Sequence, residues 1–374
     1  MNIQYLMGVK KLRGGRIYTL IFVMALPVAA LLLCKGCYMR DEMKNCRLCP
    51  RECGADRTAG RYGVCRAGAD VMVARAALHA WEEPVISGKN GSGAVFFSGC
   101  SLGCIYCQNY IISGTAAGRR QTGTADHTQT DRMMSGTADT DPPESLPGKS
   151  VSVEQLADIF LRLQDFEKAN NINLVTATHF IPQAAEALKI AKKKGLEIPV
   201  VYNTSGYEKV SSLKMLDGLV DVYLPDLKYV TPELARKYSH AGDYPDRAKE
   251  AIEEMVRQTG EPRFRPEQGN EENQLIVRGV IVRNLLLPGH VEESKKIVKY
   301  LHETYKESIY ISLMNQYTPM PAMKHDTLLG RRVTKREYER LVQYALEIGV
   351  VNGFIQEGKT AQESFIPSWN GEGT

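Results

Sequence analysis

The sequence predicts an α/β protein, a partial (β/α)6 TIM-like barrel with a small Cys-rich N-terminal region, and three observations predict it. From Val153 onward, short apolar runs alternate with amphipathic stretches. The runs are unbroken, as in strands buried on both faces of a parallel sheet. Polar residues capable of chemistry collect just past the ends of those runs, the rim at which barrel enzymes work.

The first predicted strand covers 94–98, inside AVFFSGCSLGCIYCQNY. A helix over 153–168 follows later, with Leu156, Ile159, Phe160 and Leu163 on one face. Next come a strand over 172–176, a helix over 182–194 stopped by Gly195, and a strand over 198–202. A helix over 209–216, a strand over 220–224 and helices over 232–238 and 246–258 continue the series. A strand over 275–283, a helix over 291–305, a strand over 309–314 and a helix over 335–348 complete it. Six such units curve into three-quarters of a barrel more readily than they lie flat.

At 374 residues the chain has room for one large domain or two ordinary ones, and an α/β barrel alone can use most of that. It divides into an apolar segment 1–38, a Cys-rich region 39–92, the barrel 93–350 and a C-terminal tail 351–374. Within the barrel, 113–150 reads as a flexible insertion: it is poor in bulky apolar residues, and Gly123-Thr-Ala-Asp126 recurs at 136–139. His127 inside it reads as solvated. A net charge of +4 with scattered Lys and Arg leaves no nucleic-acid footprint, and Lys192-Lys193-Lys194 reads as a solvated helix face. Nine Cys grouped as 34/37, 46/49/53/65 and 100/104/107 are arranged like metal ligands and favour a reducing, cytoplasmic location.

The uncharged run 17–34 is flanked by basic residues on both sides and spans about 27 Å as a helix. Three readings stand: a membrane anchor holding the chain to the inner face, a signal peptide, or sequence upstream of a true start at Met39 or Met43. No small-residue cleavage pattern precedes Cys34, which counts against secretion.

Cys100, Cys104 and Cys107 follow the first strand with the spacing C-x3-C-x2-C. Three thiolates on one turn can hold a compact iron-sulfur cluster, leaving one iron without a protein ligand. A zinc knuckle, a buried structural trio, or a disulfide with one free thiol are the plainer readings. Upstream, Cys46, Cys49, Cys53 and Cys65 form C-x2-C-x3-C-x11-C, enough to close a zinc site or an auxiliary cluster, with Gly54, Gly60 and Gly63 for tight turns. Trp81-Glu82-Glu83-Pro84 closes that region, and Trp81 reads as packing. The strand ends carry Thr178-His179, Asn203-Thr204-Ser205-Gly206, Asp226 with Lys228, Arg283, His290 and Asn315-Gln316-Tyr317.

CSLGCIYC resembles the C-x3-C-x-aromatic-C signature of the radical S-adenosylmethionine (SAM) superfamily. From about Asn45 to Pro367 the chain is similar to the uncharacterised branch grouped with pyruvate formate-lyase-activating enzymes. CxxCPRxC, VTATHFIPQ, VYNTSGYE, YLPDLKY, VRNLLLPGH, MNQYTPMP and GFIQEG carry that likeness. The resemblance implies a radical SAM core, a [4Fe-4S] cluster on Cys100, Cys104 and Cys107, and SAM on the open iron. Reductive cleavage to a 5′-deoxyadenosyl radical would use electrons from a flavodoxin or ferredoxin. Carried over by position, Tyr106 lies near the adenine, and Asn203 and Ser205 approach the methionine or ribose. Asp226, Lys228 and Arg283 lie further around the rim, where His290 and Gln316 are also cofactor-binding candidates. Where true activases place Gly-Gly-Glu to hold the SAM amino group, this chain has Thr176-Ala177-Thr178-His179, so Thr178 and His179 are expected to take over those contacts. That departure weakens a glycyl-radical activase role and leaves the substrate, protein or small molecule, open. The competing class is a non-catalytic iron-sulfur or zinc protein that relays electrons.

Overall fold

Burial on both faces is what the apolar runs demand, and in the computed structural model they lie side by side in one open, mostly parallel sheet. The structure describes residues 41–114, 146–267, 269–320, 323–356, 369 and 371–374. The apolar segment 1–38, residues 115–145 of the expected insertion with His127, and Cys34 and Cys37 lie outside the described residues.

The strands are β1 (Val71–His79), β2 (Ser92–Phe97), β3 (Lys149–Val151), β4 (Ile172–Val175), β5 (Val200–Thr204), β6 (Val222–Pro225), β7 (Arg263–Glu267), β8 (Asn270–Leu285), β9 (Tyr310–Met314) and β10 (Gly353–Ile355). Their spatial order is β10-β9-β8-β6-β5-β4-β2-β1-β3, with β7 paired to β8 off that path. From β2 to β10 every step along the path is parallel. The path ends at β10 and β3 without closing, as a partial barrel requires. The predicted strands are the consecutive set β2-β4-β5-β6-β8-β9, and β2, β4, β5 and β6 are buried along their whole length.

Helices α1 (Val153–Asp165), α2 (Ile181–Lys193), α3 (Pro232–Ser239), α4 (Tyr244–Thr259), α5 (Val291–Tyr305) and α6 (Lys335–Glu347) connect them. Reciprocal capping boxes, Ser152 with Gln155 and Thr334 with Glu337, start α1 and α6. Leu156, Ala157, Ile159, Phe160 and Leu163 of α1 are buried in the main core.

Four strands have no counterpart in the sequence reading. β1 pairs antiparallel with β2 through a register shift between Val73 and Arg75, which breaks its alternation. β3 is three residues long. β7 is mostly exposed, so its apolar signal is weak. β10 adds a parallel strand from what reads as tail, and the Ala76 amide donates to Glu372 at 2.9 Å. The boundary set at residue 92 therefore falls inside one unit, Arg40–Thr374.

Candidate functional site

The loop that follows β2 is shaped by two glycines in the left-handed region, Gly99 at φ +97° and Gly103 at φ +80°. A Cβ on Gly99 would lie 2.5 Å from the Cys65 carbonyl oxygen, so the two Cys-bearing regions meet here at backbone contact. The loop's thiols are held by neighbours: the Leu102 amide donates to Cys100 Sγ at 3.4 Å and the Ser239 hydroxyl to Cys104 Sγ at 3.0 Å. Burial pushes Cys107 up to about 12, and Cys104 and Cys100 reinforce the shift. Cys104 is raised for the same first reason, burial. Thiols so placed stay protonated until a metal supplies compensating charge.

Cys100, Cys104 and Cys107 line a cavity of about 670 Å³. Three thiols lining one cavity are the donor chemistry that iron-sulfur clusters take.

Seven expected cofactor residues line the same cavity: Tyr106, Asn203, Ser205, Asp226, Lys228, Arg283 and Gln316. An isolated backbone bridge between Asp226 and Arg283 carries the β6–β8 pairing past the strand end and sets these side chains together. Arg283 Nε donates to Asp226 at 2.9 Å and Nη2 to Asn203 Oδ1 at 2.6 Å, while Lys228 pairs with Asp226 from the other side. Burial pushes the Asp226 carboxyl up, but Arg283 and Lys228 outweigh it and hold it below the usual carboxylate range. Tyr106 shares a 2.6 Å hydrogen bond with Tyr229 and meets Tyr317 edge-on at 6.2 Å. Gln316 accepts at its carbonyl from Gln108 at 3.0 Å.

Thr178, His179 and His290 do not line the cavity. Thr176, at φ +61°, turns the chain after β4 so that it faces the cavity while the next residues turn away. Thr178 donates to Glu208 at 2.6 Å. His179 is 2.8 Å from the Ser98 carbonyl; burial, then Arg57, pushes it down to about 3, so it stays neutral. His290 precedes α5 and pairs with the Tyr238 hydroxyl at 2.9 Å. As folded, Thr178 and His179 face Glu208 and the Ser98 carbonyl rather than the cavity.

Cys46, Cys49 and Cys65 are buried and Cys53 half-buried, and none lines the cavity. Burial, then the neighbouring Cys65, raises Cys49; burial raises Cys65 to about 11. Gly63 leaves room for Cys53 Sγ where a Cβ would clash. Two arginines tie this region to the barrel. Arg51 donates to the carbonyls of Ser101 and Leu102, both at 2.9 Å, and of His240 at 2.6 Å. Arg57, itself buried, donates to His179 O at 2.6 Å and Gly68 O at 2.9 Å, and points Nη1 at Cys46 Sγ, 3.8 Å away.

Sequence reading missed Glu82 and Glu83, both cavity-lining. Glu82 accepts from Asn173 and Asn203, each at 3.1 Å, and pairs with Arg283 at 3.3 Å. Two adjacent acids running into a Pro between apolar segments were the only available signal. Trp81, expected to pack, is 53 % exposed and lines the cavity.

An open parallel barrel with three cysteines on the loop after its first parallel strand defines a cluster-bearing barrel enzyme. Residues 94–301 match the radical SAM superfamily, and the chain belongs to it. An uncharacterised protein of Methanocaldococcus jannaschii is 27% identical over 309 residues, covering 82% of this chain and 75% of that one. Among solved structures, a radical SAM methyltransferase from Sphaerobacter thermophilus has 14% identity and TM-score 0.43, covering 71% of this chain and 66% of its own. Streptococcus suis SuiB bound to S-adenosylmethionine has 12% identity and TM-score 0.40, with 72% and 51% covered. A domain of pyruvate-formate lyase-activating enzyme from Bacteroides vulgatus has 12% identity and TM-score 0.32, with 48% and 92% covered. Among the described residues no helix is long and apolar enough to cross a membrane.

Proposed function

We propose that this radical SAM enzyme cleaves SAM reductively and uses the resulting radical to take a hydrogen atom from a substrate bound in the same cavity. Cys100, Cys104 and Cys107 would hold the [4Fe-4S] cluster. When bound, that cluster supplies one electron to the sulfonium, releasing methionine and a 5′-deoxyadenosyl radical. The observation that carries this reading is the shared cavity: the three thiols and the polar or charged ends of β5, β6 and β8 line one space. A protein that only relays electrons has no need of such a space.

Tyr106, Ser205 and Gln316, which line that cavity, would contact the adenosyl and methionine parts. The Asn203 amide is engaged at both ends, by Glu82 and Arg283, so it positions the network rather than reaching outward. Lys228 and Arg283 keep their charge, since Asp226 raises both against the opposing effect of burial. Paired with Asp226 and Glu82, they brace the polar wall of the cavity. The buried walls exclude water from a radical that water-borne reductants would quench.

The electron donor is a flavodoxin or ferredoxin in this reading, and the compartment is the reducing cytoplasm, where the thiols survive. Cys46, Cys49, Cys53 and Cys65 hold a second metal, zinc or an auxiliary cluster. Activation of a glycyl-radical enzyme is one substrate class, a small molecule the other.

Anaerobically reconstituted protein given dithionite and SAM should yield 5′-deoxyadenosine, and Cys104→Ala should not. Neither cluster absorption near 400 nm nor product in the wild type would end the enzymatic reading. Metal analysis should find more metal than one four-iron cluster contains, with the excess lost in Cys49→Ala.

A further inference from the structure

The cavity contains the carboxylates Glu82, Glu83 and Asp226 and the cations Lys228 and Arg283. The cations are already committed. Lys228 pairs with Asp226, and Arg283 pairs with Asp226 at 2.9 Å and Glu82 at 3.3 Å, with Nη2 donated to Asn203. Glu83 is the carboxylate left over: it forms no salt bridge among the described residues. It is 9 % exposed, and its Oε2 is buried without a hydrogen-bond partner. Although Glu83 stands at the N-cap of the single turn Pro84–Ser87, its side chain does not cap it.

Burying a lone carboxylate costs several kcal/mol, so such a group discharges by taking a proton or meets an opposite charge. Burial pushes Glu83 up; Arg283 opposes and Glu82 reinforces that shift. A proton would serve the fold alone, but the carboxylate lies on the wall of a ligand-sized cavity. The three thiols there add further negative charge once they hold metal. Phe96, Leu285, Met314 and Phe354 supply apolar wall to the same cavity.

We propose that Glu83 is the docking point for a cationic nitrogen, an ammonium or guanidinium carried on an apolar body, in the ligand that fills this cavity. The proposal rests on the radical SAM reading in one respect: SAM's own α-ammonium is one source of that cation. An amine-bearing substrate is the other.

The test measures equilibrium binding to the full-length, anaerobically reconstituted wild type and E83Q. Three probes are used: S-adenosylhomocysteine, which keeps the ammonium; 5′-methylthioadenosine, which lacks it; and n-butylamine added with S-adenosylhomocysteine in place. Cluster absorbance and thermal midpoint verify that the isosteric variant is folded and loaded. If the cation is SAM's, E83Q binds S-adenosylhomocysteine at least tenfold more weakly and 5′-methylthioadenosine as before. If it is the substrate's, S-adenosylhomocysteine binding is unchanged and butylamine binding falls at least tenfold. Wild-type affinity in E83Q for both amine-bearing probes overturns the proposal. A wild type that binds neither adenosyl probe counts instead against the radical SAM reading, and butylamine alone still tests Glu83.

Discussion

Two groups of cysteines meet where Gly99 packs against the Cys65 carbonyl, yet their surroundings differ. Cys100, Cys104 and Cys107 line a cavity with charged strand ends, whereas Cys46, Cys49, Cys53 and Cys65 stand behind the loop, away from it. Arg51 extends from the second group to the first and grips its loop by the Ser101 and Leu102 carbonyls, while Arg57 ties the second group to His179 after β4. Donor chemistry is the same in both places; what differs is access. A thiol set open to a cavity can take part in chemistry, while one folded behind it can stiffen the loop that does.

The largest expected effect tests that division directly. Cys104→Ala should abolish 5′-deoxyadenosine formation, whereas Cys49→Ala should lower the thermal midpoint and leave product measurable by chromatography. Equal loss in both variants would break the comparison. Next, Arg57→Ala strands the His179 and Gly68 carbonyls and removes a guanidinium stacked 5.2 Å over Phe180. It should cost about 4 kcal/mol in urea unfolding. Arg51→Ala removes the half-buried grip on Ser101, Leu102 and His240 and should cost about 3 kcal/mol. It should also speed cluster bleaching in air, because Ser101 and Leu102 lie on the cluster loop itself. An unchanged bleaching rate would mean that the Cys-rich region does not steady that loop.

The smallest effect sharpens the contrast from outside the cavity. Glu208 is buried, accepts from Thr178, Tyr202 and Thr204, and keeps Oε2 without a partner. Burial pushes it up to about 7 against those hydrogen bonds. The folded state then holds a proton that the unfolded chain releases near pH 4.5. Stability should fall as pH rises through that window, by about 2 kcal/mol between pH 5 and 7. Glu208→Gln should flatten this slope in urea titrations at several pH values while leaving SAM cleavage in place.

The parallel strands were legible because burial on both faces leaves an unbroken apolar run. β1 and β7 were not, since a bulge broke one pattern and exposure diluted the other. The cysteine trio was equally plain. By contrast, Thr178, His179 and His290 lie past strand ends without lining the cavity, because position in sequence does not fix the direction of the next turn. The left-handed Thr176 decided that direction for Thr178 and His179. Glu82 and Glu83 went unread because the residues that give them meaning, Asn173, Asn203, Asp226 and Arg283, come from β4, β5, the end of β6 and β8.

By itself, then, the sequence determined the strand set and the C-x3-C-x2-C loop, whose ligands sit close together on any compact turn. Only the tertiary structure decided which side chains line the cavity and which carboxylate is left without a salt bridge. Charge pairing depends on distance in space, and here every pair that commits Arg283 joins residues at least 57 positions apart.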